Sequence, residues 1–133
     1  MIIVLDSNEY INYLTQKVLL LDKIVSYDNN IIHINETITK EVINNLSEML
    51  IKNFYDFLFR NNINVSYSKM PFSLFNRYKN LGLKKGDIAI AAFCEAIDAE
   101  YLISENRHFL KGIKNTKFKI VNIKQFLRKI IKE

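Results

Sequence analysis

Short segments rich in apolar, β-forming residues alternate along the chain with segments whose apolar residues recur every three or four positions. The first kind predicts strands at residues 2–5, 31–34, 63–67, 101–104 and 118–122. The second kind is typical of amphipathic helices. Strands that alternate with helices indicate an α/β domain, so we expect residues 1–133 to form a single three-layer α/β/α sandwich. Its central sheet should be mostly parallel, with about five strands and the first strand in the interior.

The helical spacing also predicts where individual helices begin and which face they bury. Thr37 or Thr39 is a suitable N-cap for the third helix, and Pro71 suits the first turn of the fifth. In the fourth helix the apolar face is expected to contain Met49, Phe54, Phe57 and Leu58. The predicted helices run through YINYL, KVLLLDKIV, EVINNL, SEMLIKNFYDFLF, FSLFNRYKN, GDIAIAAFCEAIDA and IKQFLRKIIK.

Composition narrows the class of protein. Hydrophobic residues make up 49% of the chain, which excludes a disordered protein. No apolar run reaches the ~20 residues of a membrane-spanning helix, and the N-terminus does not resemble a signal peptide. We therefore expect a cytoplasmic protein without a membrane partner. The single cysteine, Cys94, lies within IAIAAFCEAI and is expected to be a small buried hydrophobe rather than a nucleophile.

The charge balance favours a polyanionic partner without requiring one. The net charge is +5, and the excess is concentrated in a basic run from Arg107 to Lys132. A lysine-rich, solvated surface is the alternative interpretation of this run.

Polar residues with oxygen-bearing side chains follow predicted strands at comparable positions. Asp6 stands at the carboxyl end of the first strand, where α/β proteins often place ligands, although Asp6, Ser7 or Asn8 would also serve as a helix cap. Asp87 opens the alanine-rich helix, where it could be a ligand, a helix cap or a favourable charge on the helix dipole. Glu105 and Asn106 follow the fourth strand. Oxygen ligands at one edge of a sheet are the kind that Mg²⁺ and Mn²⁺ prefer.

The order of these elements resembles the PIN (PilT N-terminus) domain family. The residues that carry the resemblance are the apolar strand followed by Asp-Ser-Asn, a threonine-led helix with an acid, the segment GDIAIAAFCEAIDAEYLISENRHF, and FKIVNIKQFL. The resemblance implies a flavodoxin-like sheet and a metal-dependent ribonuclease, as in toxins of the VapC type that pair with an antitoxin. It places Asp6 and Asp87 at metal-ligating positions and Ser7 at the hydroxyl beside the first acid.

Two further positions of the family pattern match less closely. The second acid of the family falls on Asn45, but Glu41 lies one helical turn earlier on the same face and can supply the carboxylate instead. The fourth position falls on Asn106, with Glu105 as a substitute. The resemblance thus implies Asp6, Glu41, Asp87 and Asn106 as catalytic residues, with the first three binding Mg²⁺ or Mn²⁺.

Three functions remain open from the sequence. The first is a PIN-type endoribonuclease, with an antitoxin and a homodimer as further partners. Its expected substrate-binding residues are Ser7, Arg107, His108 and Lys111, of which the last three would contact the RNA backbone. The second is a degenerate PIN domain that binds RNA or protein without cleavage. A flavodoxin-like nucleotide or flavin protein is the third, although no glycine-rich loop follows a strand. Tyr10 and Tyr13 are expected in the core, with base stacking as the alternative.

Overall fold

The computed structural model describes residues 1–16, 20–113 and 116–131. Within them, five parallel strands form one sheet in the order β3-β2-β1-β4-β5. The predicted α/β class and the interior position of the first strand are confirmed. The strands are β1 (Ile2–Leu5), β2 (Ile31–Asn35), β3 (Asn64–Ser66), β4 (Tyr101–Ile103) and β5 (Lys119–Val121).

Helices cover both faces of the sheet. Ile3, Val4 and Leu5 are all buried although successive strand residues point to opposite faces, so the central strand is enclosed from both sides. The helices are α1 (Ser7–Gln16), α2 (Leu20–Val25), α3 (Glu36–Asn44), α4 (Glu48–Arg60), α5 (Phe72–Asn80), α6 (Lys85–Ala96), α7 (Arg107–Gly112) and α8 (Ile123–Phe126). None of the helices in the described ranges is long and apolar enough to cross a membrane.

Small side chains let α6 pack deep inside the molecule. Ala91, Ala92 and Cys94 are fully buried, and burial raises the pKa of the Cys94 thiol well above its usual value. A thiol held in its neutral form is not a nucleophile, in agreement with the expectation from the sequence. Tyr10 is also fully buried, with its ring edge-on to Phe54, and therefore belongs to the core.

Several local predictions were wrong. Helix α3 begins one residue after Asn35, whose side chain accepts a hydrogen bond from the Ile38 N–H, so Asn35 takes the capping role predicted for Thr37 or Thr39. Met49 is 75% exposed rather than buried. It follows the apolar spacing of α4, but it lies in the first turn of the helix, which the core does not cover.

The C-terminal helix also differs from its prediction as one regular α-helix. It is α-helical over Ile123–Phe126 and continues as a π-helical segment over Leu127–Ile131. Residues 17–19 of the predicted second helix, and Lys114 and Lys132 of the basic run, lie outside the described residues.

Candidate functional site at the carboxyl edge of the sheet

The register of two central strands brings Asp6 beside Ser104. In the parallel pair β1 and β4, Leu5 is level with Ile103, and the Asp6 N–H donates to the Ile103 carbonyl at 2.9 Å. Just beyond the strand ends, the Ser104 hydroxyl donates to Oδ2 of Asp6 at 2.6 Å. Both side chains are buried. The aspartate that ends the first strand is therefore fixed by a neighbour 98 residues away in sequence.

Glu41 reaches the same place from α3. The Ser7 backbone N–H donates to Oδ1 of Asp6 at 2.8 Å, while the Ser7 hydroxyl donates to Oε2 of Glu41 at 2.9 Å. Asn45, the alternative position for this acid, is exposed at the end of α3 and donates to the backbone carbonyl of Glu41 at 2.7 Å. Of the two candidates, Glu41 is the one whose side chain contacts the residues around Asp6.

Asp87 enters from the first turn of α6. Nδ2 of Asn106 lies 3.3 and 3.5 Å from the two carboxylate oxygens of Asp87. The other atom of that amide, Oδ1, accepts a hydrogen bond from the His108 N–H at 2.9 Å and caps α7. The N-cap of α6 is Lys84, so Asp87 is not the helix cap, but it does lie in the first turn, where its charge is favourable for the helix dipole.

A glycine allows α3 and α6 to approach closely at this point. A Cβ added at Gly86 would lie 3.3 Å from Oε1 of Glu41, so a larger residue there would press on that carboxylate. The first turn of α6 can thus bring Asp87 to the same cleft as Glu41. Asp6, Glu41 and Asp87 come from three elements, and we call the space that they line the acidic cleft.

Two of the three acids, Asp6 and Glu41, have raised pKa values. Burial raises the pKa of Asp6 and the negative charge of Asp87 raises it further, while hydrogen bonds from Ser104 and Ser7 oppose the shift. The pKa of Glu41 is also raised, first by burial and then by the charges of Asp6 and Asp87. A cation in the acidic cleft would relieve this repulsion.

The oxygen atoms that line the acidic cleft are suitable ligands for a hard cation. All of them are carboxylate or hydroxyl oxygens, which is the ligand type of Mg²⁺ and Mn²⁺. As the side chains stand, however, no three His, Cys, Asp or Glu residues among those described are grouped so that they could hold an ion. The carboxylate oxygens instead accept hydrogen bonds from serine hydroxyls and from the Asn106 amide.

The predicted phosphate-binding residues follow the acidic cleft directly. Arg107 and His108 form the first turn of α7, immediately after Asn106, and Lys111 lies in its last turn. All three are exposed. The chain thus passes from the acidic cleft to exposed basic groups within a few residues.

Two polar residues of this region were not identified from the sequence. Ser104 is fully buried against Asp6, and its position in the sequence Ser-Glu-Asn was the available signal. Glu9 lies one turn after Asp6 on α1 and is also buried, with no hydrogen-bond partner for Oε1 among the described residues. Burial, together with the charges of Glu105 and Asp6, raises the pKa of Glu9 to about 8.

Glu105, considered as a substitute for the fourth acid, turns toward α8. Its Oε1 accepts a hydrogen bond from the Ile123 N–H at 3.4 Å. Its charge acts on Glu9. Glu105 therefore belongs with Glu9 rather than with Asp87.

Comparison with known proteins extends the description of the fold. No protein-family model matches the sequence, and no curated protein matches it. Several chains of solved structures are similar. One is VapBC-1 from nontypeable Haemophilus influenzae, with a TM-score of 0.72, 20% identity, and coverage of 93% of this chain and 99% of that chain. The chain has the fold found in VapBC.

A second similar structure is VapBC2 from Rickettsia felis, which was solved bound to a DNA fragment from its promoter. Its TM-score is 0.67 at 18% identity, and the match covers 92% of this chain and 98% of the VapBC2 chain. Both matches span nearly the whole of each chain. The five-stranded parallel sheet and its helices are therefore arranged as in these VapBC chains.

Proposed function

We propose that this protein is a metal-dependent endoribonuclease of the PIN type that acts as the toxin of a toxin–antitoxin pair. The observation that carries the proposal is the acidic cleft itself, in which Asp6, Glu41 and Asp87 come from three separate elements and the charge of Asp87 raises the pKa of both other acids. Placing carboxylates close together costs folding free energy, and such clusters are typical of functional sites. The fold shared with VapBC chains supports the same proposal.

Asp6, Glu41 and Asp87 would hold Mg²⁺ or Mn²⁺. A bound ion of this kind activates water and stabilises the leaving oxygen in phosphodiester hydrolysis. The other residues position the ligands: Ser104 and Ser7 hold Asp6 by hydrogen bonds to its two oxygens, and Asn106 contacts Asp87.

Binding of the RNA backbone is assigned to α7. Arg107, His108 and Lys111 are exposed and follow the acidic cleft directly in the chain. Their side chains can therefore contact the phosphates next to a phosphodiester bond that lies in the cleft. Charged contacts to phosphate hold a strand in register without reading its sequence. The basic groups thus offset the repulsion between the carboxylates and the RNA.

An antitoxin is the proposed protein partner. Both structures described above are VapBC complexes, and the one from Rickettsia felis is bound to promoter DNA. By this likeness we propose that the chain is bound and inhibited by an antitoxin in the cytoplasm, and that it forms a homodimer.

The experiment that tests the proposal measures metal binding and RNA cleavage in the same protein. Mn²⁺ is titrated calorimetrically, and cleavage of RNA is followed with and without a chelator. Glu41→Gln should remove most Mn²⁺ binding, because it deletes a carboxylate of the acidic cleft. Asn45→Ala is the matched control at the end of the same helix, since the Asn45 side chain donates to the Glu41 backbone carbonyl rather than to its carboxylate. Cleavage that a chelator leaves unchanged would contradict the proposal.

One observation favours a second candidate, an RNA- or protein-binding domain without nuclease activity. The Asn106 oxygen is used in capping α7, and its amide nitrogen faces Asp87, so Asn106 offers neither charge nor a free oxygen to a metal. Tight RNA binding with no cleavage in saturating Mn²⁺ would establish this alternative.

A further inference from the structure

A pocket of about 390 Å³ lies between α1, α2 and the N-terminus of α8. Glu9 and Glu105 line it, together with the amide-bearing Asn12. The proposed nuclease chemistry uses none of these side chains.

Glu9 shows that the pocket lacks a partner. The side chain is 94% buried, since its exposed fraction is 6%, and Oε1 accepts no hydrogen bond from any described residue. A buried acceptor without a donor is unfavourable, and more so if it is charged. The negative charges of Glu105 and Asp6 act on the same group. A ligand that donates hydrogen bonds and carries positive charge would satisfy both needs.

One part of the pocket wall is apolar. Leu20, Leu21 and Ile123 line it alongside the two acids. A ligand that fills it must therefore present a cationic, donor-rich end to the carboxylates and an apolar part to these side chains. Inorganic cations lack the apolar part, and the described residues contain no group of three acids, histidines or cysteines that could chelate one.

We infer that this pocket is a binding site for a small organic cation, a guanidinium group on an alkyl chain, held by Glu9 and Glu105. The planar guanidinium has five N–H donors, which match the oxygens of two carboxylates and the Asn12 amide. Its alkyl chain would lie along the leucines and Ile123. Lys124 is exposed at the same pocket and opposes such a ligand by its charge.

The test uses butylguanidinium as the probe and the full-length protein, with affinity measured from NMR chemical-shift changes. We expect an affinity in the range of about 1 mM, which is ordinary for a ligand with so few atoms. Free guanidinium should bind roughly tenfold more weakly, because it has no alkyl chain to bury. No saturable binding of butylguanidinium would overturn the inference, as would equal affinity for the two probes.

Variants identify the groups responsible. Glu9→Gln and Glu105→Gln should each weaken butylguanidinium binding by about tenfold or more. Glu105→Gln removes a carboxylate, and Glu9→Gln removes a carboxyl group that can release its proton when the cation binds. The matched control is Glu48→Gln, on the exposed first turn of α4. Lys124→Gln should strengthen binding, and this gain cannot arise from misfolding. A loss in Glu48→Gln as large as in Glu9→Gln would overturn the assignment, as would weaker binding in Lys124→Gln.

The inference does not depend on nuclease activity. Neither RNA nor metal is present in the binding experiment, so a protein that fails to cleave RNA can still bind the probe. Competition with Mn²⁺ separates the two sites. If Mn²⁺ displaces butylguanidinium with matching stoichiometry, the probe occupies the acidic cleft and the separate site is refuted.

Discussion

Asp6 and Glu9 lie one helical turn apart and are buried to the same degree, yet their surroundings differ. Asp6 is 4% exposed, and three donors, the Ser7 N–H and the hydroxyls of Ser7 and Ser104, contact its two oxygens. Glu9 is 6% exposed, and one of its oxygens has no partner among the described residues. Burial raises the pKa of both, but for Asp6 hydrogen bonds oppose the shift, whereas for Glu9 the pKa rises to about 8.

The comparison shows that burial alone does not decide the charge state of an acid. Donors that favour the ionised form keep Asp6 closer to a carboxylate, which is the form that binds metal. Glu9 has no such support and holds its proton at neutral pH. The fold therefore places an acid held by hydrogen-bond donors beside an acid with one oxygen that has no partner among the described residues.

The largest expected effect comes from Asp6→Asn. It replaces a proposed metal ligand by a neutral group of the same shape, so RNA cleavage in Mn²⁺ should fall by at least about a hundredfold, more than the loss typical of an outer-shell residue. RNA binding should stay unchanged or become stronger, because a negative charge facing the phosphate is removed. Cleavage rates and filter-binding affinities measure the two effects.

A matched control for this change is Asp56→Asn. Asp56 is exposed near the end of α4, which ends just before β3 begins and therefore lies at the amino edge of the sheet, away from the acidic cleft. Its cleavage rate should equal that of the wild type. Cleavage that survives Asp6→Asn would contradict the proposed mechanism.

Parts of this site follow from the sequence for physical reasons. The apolar run before Asp6 identifies a central strand, and parallel strands bring their carboxyl ends to one edge, so a shared location for Asp6, Asp87 and Asn106 was predictable. Glu41 and Asn45 share a helix face, so the sequence does not decide between them. The contact between Ser7 and the Glu41 carboxylate, which the structure shows, does. The partner of each hydroxyl and amide depends on side-chain orientation, which spacing does not determine.

For the fold, too, the positions of the strands were predictable from the sequence, whereas some local details were not. Period and strand composition located all five strands to within two residues at each end. The cap of α3 was missed because Asn35, Thr37 and Thr39 are all capping residues within five positions. The exposure of Met49 depends on which part of α4 meets the sheet, and helical spacing contains no information about that.

The second prediction concerns the donors of Asp6. Ser104→Ala removes the 2.6 Å hydrogen bond to Oδ2 and changes the volume of a buried residue little. Activity should fall by roughly 10–100-fold, as expected for an outer-shell partner. Because this hydrogen bond lowers the pKa of Asp6, its loss should also move the acid limb of the pH–rate profile to higher pH. Ser73→Ala, at an exposed position of α5, is the control. An unshifted acid limb in Ser104→Ala would show that this hydrogen bond does not tune the site.

The third prediction tests the other half of the comparison through folding stability. The pKa of Glu9 is about 8 in the folded chain against 4.5 ordinarily, so between these values the folded state binds more protons than the unfolded state. The free energy of unfolding should therefore decrease as the pH rises through this window. Glu9→Gln, which cannot ionise, should flatten that decrease by about 2 kcal/mol between pH 5 and pH 8, less than the full shift implies because Glu9 lines a pocket. Urea unfolding at both pH values measures it, and parallel profiles for the two proteins would contradict the raised pKa.

The smallest expected effect belongs to the exposed basic groups that border the acidic cleft. Arg107→Ala removes one proposed phosphate contact at the surface, so RNA affinity should fall only severalfold and by similar factors for RNAs of different sequence. Each contact to a single strand releases counterions, and the slope of log K against log salt should become shallower by roughly 0.7. Arg60→Ala, at the end of α4 and hence at the amino edge of the sheet, should leave both quantities unchanged. Salt titrations of RNA binding for the three proteins provide the measurement. If Arg107→Ala and Arg60→Ala lower the slope equally, RNA contacts basic groups at both edges of the sheet without preference for those near the acidic cleft. The role assigned to α7 would then be wrong.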